Sequence, residues 1–84
     1  MKIYEIRFEK AAQKFLEKQD KNQRLRIYRA ISKLPDGTDI KRLSGVDKYR
    51  LRIGNYRVIY SIEHEIKIIN IENIDNRWQV YKRV

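Results

Sequence analysis

Polar and apolar residues at first alternate one for one. Tyr4, Ile6 and Phe8 fall on one side, with Glu5 and Arg7 on the other, which predicts a half-buried strand ending near Glu9. From Glu9 to Lys18 the period lengthens to that of a helix, with Ala11, Ala12, Phe15 and Leu16 on one stripe and Lys10, Lys14, Glu17 and Lys18 elsewhere. Asp20-Lys21-Asn22 then offers capping side chains before a second helical pattern, in which Arg24, Ile27, Tyr28, Ile31 and Leu34 share a side. Pro35-Asp36-Gly37 stops it. Two amphipathic helices joined by so few residues predict an αα-hairpin, and its apolar stripes need a sheet to cover.

After Gly45 the alternation returns as a β-meander. Tyr49, Leu51 and Ile53 alternate with Lys48, Arg50 and Arg52, and Gly54-Asn55 suits a two-residue hairpin turn. Pairing Ile53 with Tyr56 across that turn sets Arg52 against Arg57, Leu51 against Val58, Arg50 against Ile59 and Tyr49 against Tyr60. One face is then aromatic and aliphatic, and the other gathers Arg50, Arg52 and Arg57. A turn at Glu63-His64-Glu65 leads into a central strand over 66–74, Asp75-Asn76 reads as a loop, and Trp78 to Lys82 as a last short strand. The fold class is α+β, in the order β-α-α-β-β-β with one further strand at the end, as a single domain over 1–84.

Composition narrows the functional classes. The 84 residues carry 20 Lys+Arg against 11 Asp+Glu, a net charge of +9. At this length about 60% of the unfolded chain's surface can be buried, enough for one core, and function must sit on the surface. The basic residues divide ten and ten between 1–40 and 41–84, so the charge belongs to the fold rather than to a tail. Such a field attracts polyanions, and an acidic protein partner equally. The absence of Cys and the single His64 exclude disulfides and Cys- or His-rich metal sites. No stretch approaches the roughly 20 apolar residues of a membrane span, and the N-terminus lacks a signal pattern, so cytoplasmic residence is expected.

Like charges directly opposite each other on a sheet are destabilising, so the Arg50, Arg52 and Arg57 cluster invites a functional explanation beside the plain one of a solvated face. Guanidinium forks match phosphate geometry, and with Arg77 a fourth can oppose the charge that grows on a phosphodiester under attack. Tyr81 suits either an aromatic at the sheet edge or a phenol that activates or orients a ribose 2′-OH, its ionised form favoured by neighbouring guanidiniums. Trp78 can pack on the sheet edge or stack on a base. His64 reads as an exposed turn residue. Glu72 and Asp75 read as salt-bridge partners of the cluster more than as general bases.

Two tracts carry a resemblance to a known family. Lys41-Arg42-Leu43-Ser44-Gly45 followed by Tyr49-Arg50-Leu51-Arg52-Ile53-Gly54-Asn55-Tyr56-Arg57-Val58-Ile59-Tyr60 resembles the basic element and paired strands of the RelE/ParE toxin superfamily, and Asn73 to Tyr81 is similar to its Arg- and Tyr-containing ending. The resemblance implies a two-helix hairpin on a small antiparallel sheet and a metal-independent, ribosome-dependent endoribonuclease. In such an enzyme the 2′-OH of mRNA in the A site attacks the adjacent phosphate. It implies Arg57, Arg77 and Tyr81 as catalytic residues, with Arg50 and Arg52 on the scissile phosphate; Lys48 and Trp78 are further candidates for binding the RNA. No cofactor is implied. The implied partners are a cognate antitoxin, the ribosome and mRNA. Asp75 and Asn76 stand where the superfamily usually has Gly and His, so imidazole-dependent branches are poor guides. The alternative within the same fold is a ParE-type inhibitor that binds DNA gyrase without nuclease activity.

Overall fold

In the computed structural model, which describes residues 3–37, 39–43, 45 and 47–76, the first alternation forms strand β1 (Glu5–Phe8) and the helical period after it forms α1 (Lys10–Glu17). A tight corner follows. Asp20 then caps α2 (Lys21–Ser32), its Oδ1 accepting the Gln23 backbone N–H at 2.9 Å, which satisfies one of the donors a helix start leaves open. The remaining strands are β2 (Ile40–Arg42), β3 (Lys48–Ile53), β4 (Tyr56–Glu63) and β5 (Ile68–Asn76). They form one sheet in the order β1-β5-β4-β3-β2.

The β3–β4 hairpin has the register expected from its turn, with Ile53 opposite Tyr56, Arg52 opposite Arg57 and Tyr49 opposite Tyr60. Gly54 makes that turn possible at φ +54°, a left-handed conformation that costs a side-chain-bearing residue.

Three features depart from the pattern reading. The sheet is mixed rather than antiparallel throughout, because β1 joins β5 in parallel and sets Ile6 and Phe8 beside Ile69 and Ile71. The intervening helix hairpin and meander supply the long connection that parallel pairing requires. An additional short strand, β2, pairs with β3 at the sheet edge. β5 starts at Ile68, after a turn that leaves Ile66 exposed and Lys67 at φ +56°, and it continues through Asp75 and Asn76. Those two residues pair with Arg57 and Tyr56 instead of forming a loop. The strand expected over 78–82 lies outside the described residues.

Both helices cover one face of the sheet. Ala12, Leu16, Ile27, Ile31 and Leu34 pack on Leu51, Ile53, Tyr56, Val58, Tyr60, Ile69, Ile71 and Ile74, and among the described residues the buried set contains no charged group. Each fully buried aliphatic side chain contributes about 1.5 to 3 kcal/mol of transfer free energy, so this layer holds the fold together. Tyr56 ties the corner between the helices to the sheet. Its ring meets Phe15 edge-on at 5.8 Å, and its hydroxyl is shared between Gln19 Oε1 at 3.3 Å and Gln23 Oε1 at 3.2 Å. Tyr28, expected on the apolar side, stands at its border, 43% exposed and edge-on to Phe8 at 5.7 Å. No described helix is long and apolar enough to cross a membrane.

Candidate phosphate-binding face

With the helices on one side, the period-two alternation sends the charged residues of β3 and β4 to the other side, which neither described helix covers. Arg52 and Arg57 stand directly opposite each other there, and Asp75 of β5 is opposite Arg57 on its far side. Arg50 faces Ile59 on β4 and Lys41 on β2. Four cations from three adjacent strands therefore share one patch.

Their surroundings differ. Arg50 is only 18% exposed along its side chain; its Nη2 donates to Asp39 Oδ1 at 3.3 Å, while its Nε is buried with no partner. Asp39 is held in place by its own backbone: it adopts φ +60°, and its carbonyl accepts the Arg52 N–H at 3.2 Å. Lys48 lies further along β3 and is paired with Glu72, Nζ to Oε1 at 2.7 Å. Glu72 occupies the irregularity where the β4–β5 register shifts between Ile59 and Tyr60. The hydrogen bond to Glu72, and then the attraction of its charge, raise the Lys48 pKa and keep that amine protonated. Among the described residues no acid pairs with the side chains of Arg52, Arg57 or Lys41.

This arrangement is chemically specific. Two opposed guanidiniums without counter-ions, beside a third that keeps a desolvated donor unused, are short of an anion with several acceptor oxygens, and a phosphodiester is such an anion. Fixed cations of this kind act most strongly where charge increases during reaction, since the field is in place before the reaction begins.

Of the residues predicted from sequence, Arg50, Arg52 and Arg57 come together on this face, with Lys48 at its margin and tied to Glu72. Arg77, Trp78 and Tyr81 lie outside the described residues. His64 is exposed in its turn and 3.3 Å from the Tyr4 hydroxyl, as a turn residue should be. Sequence reasoning missed Asp39, which engages Arg50, and Lys41, which stands opposite it. Asp39 lies beyond the Pro35-Asp36-Gly37 stop in a stretch without periodicity, and the three-residue strand after it is too short to show a period.

Solved structures of small toxins share this fold. The chain is similar to RelE in the RelE–RelB complex of Pyrococcus horikoshii, at 31% identity over 92% of this chain and 97% of that one, TM-score 0.74. It is similar also to RelE of the Methanococcus jannaschii RelB–RelE complex, at 26% identity over 92% and 96%, TM-score 0.73. A curated Methanocaldococcus jannaschii relative named as toxin RelE1 is 49% identical over 45 residues, so the match spans 52% of this chain and half the length of that relative. The family described as ParE toxin of type II toxin-antitoxin system, parDE, matches residues 6–81, and the chain belongs to it.

Proposed function

We propose that this toxin is an endoribonuclease that cleaves mRNA in the ribosomal A site. The observation that carries the reading is the opposed Arg52–Arg57 pair without counter-ions. Like charges in that position cost roughly 0.2 to 1 kcal/mol, which a bound phosphodiester would reverse. Arg50 and Arg52 hold the scissile phosphate, and Arg57 and Arg77 oppose the charge that builds on it. Tyr81 orients the ribose 2′-OH, and Trp78 stacks on a base. As the 2′-oxygen bonds to phosphorus it loses its proton, the bond to the 5′-oxygen breaks, and that oxygen leaves protonated. The products are a 2′,3′-cyclic phosphate and a 5′-hydroxyl. Without a strong general base in the set, the rate depends on alignment of the RNA for in-line attack, a task for the ribosome.

The cognate partner is an antitoxin that covers this basic surface with acidic residues, and binding should weaken as salt rises. The complexes of the RelE relatives with RelB support that reading. The match to the ParE family favours a second activity, inhibition of DNA gyrase by binding. Primer extension on cellular mRNA after induction separates the two. New ends within codons support the nuclease, and intact mRNA with gyrase arrested supports the inhibitor.

A further inference from the structure

Asp39, the residue before β2, engages two arginines of β3 with two different groups. Ile40 pairs with Leu51, so the same antiparallel register sets Asp39 opposite Arg52, and its carbonyl accepts the Arg52 N–H at 3.2 Å. The carboxylate goes elsewhere. Its Oδ1 accepts from Nη2 of Arg50, the diagonal neighbour two residues back along β3, at 3.3 Å. The backbone at Asp39 has φ +60°, a left-handed conformation that Asp adopts more readily than most residues. A main-chain hydrogen bond and a restricted backbone angle therefore aim this carboxylate at one arginine, while Arg52, directly opposite, has no acid among the described residues.

Stability is a weak reason for the pair. The Asp39 side chain is half exposed and the contact is a single one rather than a two-point fork, and pairs of that kind contribute little to folding. Affinity for an anion is no reason at all, because a carboxylate beside the cationic face repels a phosphodiester. What the contact does supply is direction. Arg50 is largely covered, with its Nε buried and unpartnered, and a tie at Nη2 leaves the guanidinium a single plane. A long side chain that would otherwise sample many rotamers is thus set before any ligand arrives.

We propose that Asp39 is a positioning residue: it fixes the Arg50 guanidinium so that Nη1 meets the scissile phosphate beside the Arg52–Arg57 pair, while weakening the overall attraction for RNA. This rests on the nuclease reading above. Asp39 touches no substrate and moves no proton; it acts through Arg50 alone. Orientation and affinity therefore change in opposite directions when the carboxylate is removed, which a merely structural role would not produce.

The test compares Asp39→Gly, which keeps the left-handed backbone without steric cost and deletes the carboxylate, with Asp39→Asn, which keeps one acceptor oxygen in place. On programmed ribosomes, single-turnover cleavage at saturation should slow about ten- to hundredfold in Asp39→Gly and by less in Asp39→Asn. The ribosome concentration at half-maximal rate should hold or fall, since a negative charge has left the face. In an Arg50→Gln background, Asp39→Gly should slow cleavage by less than about twofold more, because no guanidinium remains to be directed. Equal slowing in both backgrounds would overturn the proposal, and so would a wild-type rate in both Asp39 variants, or a raised half-saturation with the saturated rate unchanged. Should Asp39→Gly fail to fold, Asp39→Asn carries the same comparison. The NMR signal of the Arg50 Nε–H gives a readout without RNA: its proton should exchange faster with water in Asp39→Gly than in wild type. If it does, but the wild-type chain cuts no mRNA on the ribosome, the hold on Arg50 stands and the nuclease reading falls. If the wild-type chain cuts and neither signal nor rate responds to Asp39, the proposal falls alone.

Discussion

Replacing Arg57 by Gln should separate activity from stability. Gln keeps part of the stem that packs on the sheet and removes the guanidinium charge. On one side Arg57 faces Arg52, a like-charge pair whose loss relieves roughly 0.2 to 1 kcal/mol; on the other Asp75 stands opposite it in register without an ion pair, so the attraction lost there offsets only part of that relief. The net change is small. Since 1 kcal/mol moves the melting temperature of a domain this small by about 4 to 8 °C, the midpoint should stay within about 4 °C of wild type. Catalysis has no such cancellation. A donor aimed at growing charge is worth about 2.7 to 4 kcal/mol, so single-turnover cleavage on programmed ribosomes should slow by about two to three decades. The loss should persist at saturating ribosomes, because the contact strengthens in the transition state rather than in the bound ground state. A rate within threefold of wild type would refute the assignment. So would a slow variant whose melting temperature had fallen by 10 °C or more, since the defect would then be one of folding.

Tyr81→Phe keeps the ring and removes the hydroxyl; cleavage should slow with melting unchanged, and an unaltered rate would take Tyr81 out of the chemistry. Asp20→Ala removes the cap on the Gln23 N–H and should cost about 1 kcal/mol, read as a drop of about 4 to 8 °C in the melting temperature with cleavage at lower temperature preserved. Tyr60 is 1% exposed, and burial pushes its phenol from 10.0 up to about 12. The unfolded phenol ionises first as pH rises, so the stability gained from keeping Tyr60 neutral is complete below pH 10 and is lost between 10 and about 12, on the order of 2 kcal/mol. Denaturant unfolding of wild type and Tyr60→Phe across that range should show the extra decline in wild type alone, and superimposable profiles would contradict it.

The parts of the fold that were legible in the sequence are those set by neighbours in the chain. Asp20 could be read as a cap because the residues it serves follow it immediately, and the Gly54-Asn55 turn fixed the whole Arg50–Ile59 and Arg52–Arg57 register through period-two geometry. Pairing of β1 with β5 was not legible, since it joins strands more than 60 residues apart and no local pattern states direction. β2 was hidden by its length, and Asp75-Asn76, read as a loop from two turn-forming residues, was drawn into β5 by pairing with β4. The candidate site followed the same division. Its arginines are dictated by the hairpin, whereas the hold of Asp39 on Arg50 and of Glu72 on Lys48 depends on a loop conformation and a register shift that alternation cannot show.

A basic face that cuts RNA with the substrate's own 2′-OH leaves a defined pair of ends. The most direct measurement incubates purified toxin with ribosomes that hold a defined mRNA codon in the A site, and maps the ends of the RNA. One new cut is expected in that codon, bearing a 2′,3′-cyclic phosphate on one fragment and a 5′-hydroxyl on the other, and no such cut when the same mRNA is free in solution. Intact mRNA on the ribosome, with the same protein arresting DNA gyrase, would contradict it.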